Sequence, residues 1–162
     1  WDTDVLSTGF VGLLQDPQAE FAKRVADESP RKLMLLSHHQ LLSVYDKEDL
    51  GPTLEEKLAP VLAGDRVSAW LWGHEHRCMG FQHASQVKVP RCIGHGGVPV
   101  LMEHKPGEPV PPPGLWEERD FSEYRGEHWG RMGFAILDLE GPRINVRYRN
   151  ELGGTSRKET ID

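Results

Sequence analysis

Two stretches decide the fold: Leu33-Met34-Leu35-Leu36-Ser37-His38-His39-Gln40 and Arg66-Val67-Ser68-Ala69-Trp70-Leu71-Trp72-Gly73-His74-Glu75-His76. Each is a compact apolar run that ends in histidines. Residues 32–37 are a compact apolar run, Leu33 to Leu36, bounded by polar residues, the pattern of a strand buried on both faces. Residues 66–72 read as a second strand. Between them Leu54, Leu58, Val61 and Leu62 keep helical spacing, Thr53 and Glu56 make a capping box, and Gly64 is suited to the C-cap. Strand, helix and strand in this order form a β-α-β unit with a right-handed crossover. Neighbouring parallel strands lie about 4.8 Å apart, and their carboxyl ends open onto one crevice. His38 is therefore expected to meet His74 and His76, although 36 residues separate His38 from His74. Gly73 is expected to supply the sharp turn after the second strand.

The chemistry follows from the side-chain type. Neutral imidazole is a good ligand for zinc, iron, manganese or nickel, and three converging rings can hold an ion. His38, His74 and His76 are the candidate metal ligands. His39 points away from His38 on an extended backbone and is a candidate supporting or substrate-facing residue. His95 lies in the glycine-rich turn of residues 94–97 and is a candidate substrate contact. His83, His104 and His128 read as surface or hydrogen-bonded histidines. No residue is assigned a catalytic role.

Working outward, residues 16–27 form a helix, with Asp16 at the N-cap, Pro17 at the first position, and Phe21, Ala22 and Val25 as its buried stripe. Residues 77–83 and 87–93 make a hairpin. Pairing His83 with Val87 would set Cys78 opposite Cys92. Two thiols in a reducing cytosol are the expectation and a cross-strand disulfide the alternative. Residues 106–114, rich in proline, form an exposed connection, and residues 115–131 resist assignment. Residues 133–139 and 143–149 alternate about Glu140-Gly141-Pro142 as a half-buried hairpin. Residues 1–152 are expected to be one domain and residues 153–162 a polar tail.

The composition agrees with this picture. The 162 residues carry 19 Lys and Arg against 25 Asp and Glu, a net charge of −6, with 38 % hydrophobic residues. Five Trp and dispersed aliphatic runs are too much core material for a disordered tail. No apolar run approaches the roughly 20 residues of a membrane span, and no signal-peptide pattern is present, so the chain is expected to be cytoplasmic without a membrane partner. The acidic balance argues against nucleic acid as a backbone ligand.

The strand-end Leu35-Leu36-Ser37-His38-His39-Gln40, the later Gly73-His74-Glu75-His76 and the Gly94-His95-Gly96-Gly97 turn resemble the calcineurin-like metallophosphoesterases. The resemblance covers most of residues 6–152 and corresponds to the C-terminal half of that family's catalytic domain. It implies part of a two-sheet α/β/β/α sandwich, a phosphoester substrate, and two divalent ions (Mn, Fe, Zn or Ni) about 3.5–4 Å apart. His38 and His74 then correspond to ligands of one ion and His76 to a ligand of the other. The family's Asp-x-His, Gly-Asp-x-x-Asp and Gly-Asn-His motifs have no counterpart here, so fewer or weakly bound ions and little activity are expected. The missing N-terminal half is an expected partner, as is self-association through an open sheet edge.

Two other readings stand beside this one. The first is a mononuclear three-histidine zinc hydrolase with an open position for water. The second is a non-catalytic interaction domain in which the proline-rich loop, Trp116, Tyr124 and Trp129 dock a partner.

Overall fold

The computed structural model describes residues 13–45, 51–105 and 107–162, with side chains of the second helix described from Leu54 onward. The chain is mixed α/β. Helices α1 (Asp16–Glu28) and α2 (Gly51–Leu62) alternate with strands β1 (Leu33–Ser37) and β2 (Val67–Trp72). Eight further strands follow: β3 (Cys78–Phe81), β4 (Val89–Ile93), β5 (Gly114–Glu117), β6 (Phe121–Tyr124), β7 (Glu127–Gly130), β8 (Gly133–Glu140), β9 (Arg143–Asn150) and β10 (Thr155–Ile161). They form a mixed five-stranded sheet in the order β1-β2-β4-β3-β5, an antiparallel sheet β10-β9-β8, and the separate hairpin β6-β7.

The expected β-α-β unit is present. β1 and β2 pair in parallel, from Leu33 beside Val67 to Ser37 beside Trp72. All six residues of β2 are buried because both faces are covered. Leu54, Leu58, Val61 and Leu62 of α2 pack with Trp70 and Trp72 on one face. Ala69 packs on the other face with Val146, Tyr148 and Ile161 of the antiparallel sheet. The layers are therefore helices, five-stranded sheet and three-stranded sheet.

Several expectations are corrected. β1 is not buried on both faces: none of Leu33–Ser37 is fully buried and Leu36 is 68 % exposed. In α1 the residue before the helix is Gln15, whose backbone N–H donates to the Gln18 side chain at 3.1 Å. The buried side of α1 carries Ala22 and Ala26, whereas Phe21 and Val25 are exposed. The described contacts of α1 are chiefly with α2, and small alanines allow a close approach there while the larger residues flank it. The Thr53–Glu56 capping box rests on a side chain outside the described residues. Residues 155–161 are not a tail: β10 pairs with β9 and buries Ile161.

The β3–β4 hairpin closes on a tighter turn than expected. Ser85 and Gln86 both have positive φ, 52° and 63°, and Ala84 pairs with Val87. A two-residue turn shifts the register by one, so Cys78 lies opposite Ile93 and Met79 opposite Cys92. The cysteines consequently serve opposite faces, Cys92 in the helix-side core and Cys78 in the sheet-side core. Both are free, and the disulfide alternative falls. Burial pushes both thiols up, Cys92 to about 12, which keeps them protonated and unreactive.

Candidate functional site

The carboxyl ends of β1 and β2 bring three histidines together. His38, His39 and His74 each offer a ring nitrogen, and these atoms lie within 4.8 Å of one another. His74 Nδ1 is 3.3 Å from His38 Nε2. The ring centroids are 5.0 Å apart for His38–His39 and 4.8 Å for His39–His74. His39 is 5 % exposed, while His38 opens to solvent.

The backbone explains why tandem histidines converge. β1 ends at Ser37, so the alternation that would send His39 away no longer applies. The buried Trp70 Nε1 donates to Ser37 Oγ at 2.8 Å, and Ser37 Oγ donates to the His39 carbonyl at 2.7 Å. The Gly73 N–H donates to the His38 carbonyl at 3.1 Å. Both peptide groups of the pair are thus tied to β2.

On the other side, the turn is made by the histidines themselves. His74 and His76 have φ of 64° and 53°, the left-handed region that costs a non-glycine residue about 1 kcal/mol or more. Gly73 does not carry the turn. The glycine that matters is Gly94, at the end of β4: a Cβ there would meet Gly73 C at 2.9 Å and His76 N at 3.0 Å. The Cys92 thiol, donating to the Arg77 carbonyl at 3.3 Å, supports the same loop from below. No periodicity signals Gly94; only the spatial neighbour shows why it is small.

His76 lies outside the three-histidine group. It lines a separate cavity of about 30 Å³ together with His95, Arg131 and Asp120. That volume suits water and not a substrate. His95 is buried beneath Gly133, and burial pushes its pKa down, against a backbone hydrogen bond with Ile93 that raises it. The remaining histidines behave as ordinary residues: His83 is exposed, His128 stacks on Phe121 at 4.0 Å, and His104 stacks on Tyr45 at 5.5 Å.

One buried network escaped the sequence reading. The Glu117 side chain is fully buried and accepts from Arg77 Nη1 at 2.6 Å, Arg119 Nε at 2.8 Å and the Tyr45 hydroxyl at 2.7 Å. The Arg77 guanidinium also covers the Tyr45 ring at 4.0 Å. Tyr45 thereby fastens the histidine-bearing loop to β5. Nothing in the linear spacing of residues 45, 77 and 117 announces this.

The donor set fits one ion. On tetrahedral zinc, with Zn–N of about 2.05 Å, two nitrogens lie about 3.3 Å apart, which matches His38 and His74. The third ring needs only a small approach. Two dications a few ångströms apart need carboxylates to offset their repulsion, and the group that converges among the described residues contains none.

No family model matches the chain, and no curated protein matches it. Among solved structures it is similar to Plasmodium GAP50, described as the anchor in the inner membrane complex. The TM-score is 0.62 at 14 % identity, over 99 % of this chain and 47 % of that one. The chain thus spans about half the length of the structure it resembles, and at this identity the likeness shows the fold alone. The expectation of a metallophosphoesterase, and with it of a hydrolase or phosphatase, is corrected: the similar structure is described as an anchor. The physical reason is that a β-α-β crossover gathers strand-end histidines whatever their use. Short His motifs therefore report the topology and not the reaction.

Proposed function

We propose that this chain is a non-catalytic interaction domain, a scaffold that holds a partner polypeptide along its open side. One observation carries the reading. Among the described residues β1 ends the five-stranded sheet, its Leu36 is 68 % exposed, and beside it runs a groove of about 660 Å³ shared with the β8–β9 turn. An apolar sheet edge of this kind is a template for another strand. The anchoring role described for GAP50 supports the direction. The docking surface differs from the expected one: Trp116 is 9 % exposed and packs on Tyr148, so it cannot face a partner, although Tyr124 stands out at 61 %. The three layers are taken as part of the expected four-layer α/β/β/α sandwich, used as a scaffold. No helix among the described residues is long and apolar enough to cross a membrane.

His38, His39 and His74 have a role in this reading as the ligands of one divalent ion that pins the loop after β1 to the turn after β2. Zinc at one hundred times its Kd then stabilises the fold by about 2.7 kcal/mol. A thermal melt with and without zinc reads this, and His74→Ala should abolish the rise. Gly94→Ala should weaken zinc binding at least roughly ten-fold, because the His74–His76 loop has to move; unchanged zinc affinity in Gly94→Ala would remove that glycine from the argument.

The decisive test of the interaction reading is turnover. An aryl phosphate with added manganese should be hydrolysed no faster by the protein than by buffer containing the metal. Robust hydrolysis that disappears in His74→Ala overturns the reading.

A further inference from the structure

We propose that His95 is an acid-operated latch: a proton taken up by its ring frees the 94–97 turn from the start of β8 and loosens the joint between the two sheets. The device lies wholly among described residues and does not depend on what the domain holds.

The packing comes first. His95 follows β4 in the five-stranded sheet, and Gly133 opens β8 in the three-stranded one. The Gly133 N–H donates to the His95 carbonyl at 2.9 Å. The imidazole lies directly against Gly133, where a Cβ would meet its Nε2 at 2.6 Å and its Cδ2 at 3.0 Å. A Cβ at Gly96 would meet the Gly133 carbonyl oxygen at 3.2 Å. Ring, turn and strand are thus fitted together through glycines, and His95 is 9 % exposed. The cavity of about 30 Å³ beside it has room for about one water, far short of the hydration shell an imidazolium needs.

The charges around the ring work against its protonation. His76 and Arg77 face the cavity from the loop after β2, Glu118 and Asp120 from beyond β5, Arg131 from just before β8, and Arg149 from β9. Both carboxylates are engaged, Asp120 with Arg131 at 3.0 Å and Glu118 with Arg157 at 3.7 Å. A proton on His95 therefore adds positive charge among the guanidiniums of Arg77, Arg131 and Arg149, and no carboxylate facing the cavity is left to receive it. The hydrogen bond to the Ile93 backbone favours the charged ring, but burial outweighs it and holds the pKa below the ordinary 6.5.

The sign of the pH effect follows. With the turn open, the ring meets water and takes a proton at its ordinary value. With the turn closed, it takes one only at lower pH. The closed form is fully favoured above the ordinary value, and that advantage is lost as pH falls below 6.5. This window lies above the one in which Glu159 titrates.

Hydrogen exchange of the 162-residue chain, corrected for intrinsic rates, tests the latch at about pH 7.5 and about pH 5.5. Protection of the Gly133 amide should fall several-fold at the lower pH, with about ten-fold as the ceiling set by a freely titrating ring in the open form. Gly133 should also be less protected than Leu71 in the middle of β2, which marks the opening as local. His95→Gln, polar but not titrating in this range, should lose the pH response. In the unsubstituted protein the carbon-13 signal of the His95 ring should titrate below 6.5, a measurement that needs no variant to fold. Unchanged Gly133 protection between the two pH values overturns the inference, and so does a response that survives in His95→Gln. It is overturned equally by a ring that titrates at or above 6.5, or by Gly133 and Leu71 exchanging together at equal protection, since the opening is then global unfolding.

Discussion

Glu117→Ala is expected to destabilise the protein by about 3–5 kcal/mol, since it strands two guanidiniums in the interior. The side chains of Arg77 and Arg119 are 13 % and 4 % exposed, and both lean on this one carboxylate. The Tyr45 hydroxyl loses its acceptor as well. Urea denaturation gives the stability change, and a loss below about 1 kcal/mol would contradict the argument. The variant should do a second thing. Without Glu117 the loop from His38 to Tyr45 is no longer tied to β5, so zinc affinity should fall although no histidine has changed. Glu117→Gln keeps the shape but not the charge and should lie between the two. Removing Arg119 together with Glu117 should cost less than the separate losses added, because the second deletion removes a charge that the first had left unpaired.

Glu159→Ala should have a comparable effect at a different joint. Arg91, on β4, donates Nε to Glu159 Oε1 at 2.9 Å and Nη2 to Oε2 at 2.7 Å, and the Tyr148 hydroxyl donates to Oε1 at 2.5 Å. Since β4 lies in one sheet and β9 and β10 in the other, this fork clamps the two sheets together. Arg91 is 6 % exposed, so the loss should again be about 3–5 kcal/mol. The pH dependence has a definite sign. Burial raises the Glu159 pKa, but the bonds from Arg91 and Tyr148 outweigh it and leave the carboxyl below its ordinary 4.5. A depressed carboxyl stabilises the fold above its unfolded pKa, and that contribution is lost as pH falls through the folded value. Thermal melts should therefore show acid destabilisation below about pH 4.5 that is smaller in Glu159→Gln. Parallel curves for the two proteins would place the acid sensitivity elsewhere.

The parts legible in the linear sequence share one property: their signal is local. The apolar run before His38, the 54-58-61-62 spacing of α2 and the alternation about Gly141 each arise within a few residues, and each forms the expected element, although β1 is not buried on both faces. The β-α-β rule then carried His38 to His74, because strand order and crossover hand are general constraints. Where a single residue of register or one helical step decides the outcome, the local signal fails. The two-residue turn at Ser85-Gln86 moved Cys78 away from Cys92. The close seat of α1 on Ala22 and Ala26 put Phe21 outside. Residues 115–131 carried no clear period because their strands are four residues long and two of the three sit in a separate hairpin.

By itself, then, the sequence determined a β-α-β unit, its helix and buried second strand, and the meeting of His38 and His74 at the strand ends, since these follow from periodicity and chain topology. Only the tertiary structure decided which rings converge, because that depends on where β1 stops, on left-handed φ at His74 and His76, and on the close approach at Gly94. It also decided that charge is buried at Glu117 and Glu159, and that among the described residues β1 ends the five-stranded sheet beside an apolar groove. Those outcomes rest on contacts between residues far apart in the chain, whose geometry is set by packing and not by spacing.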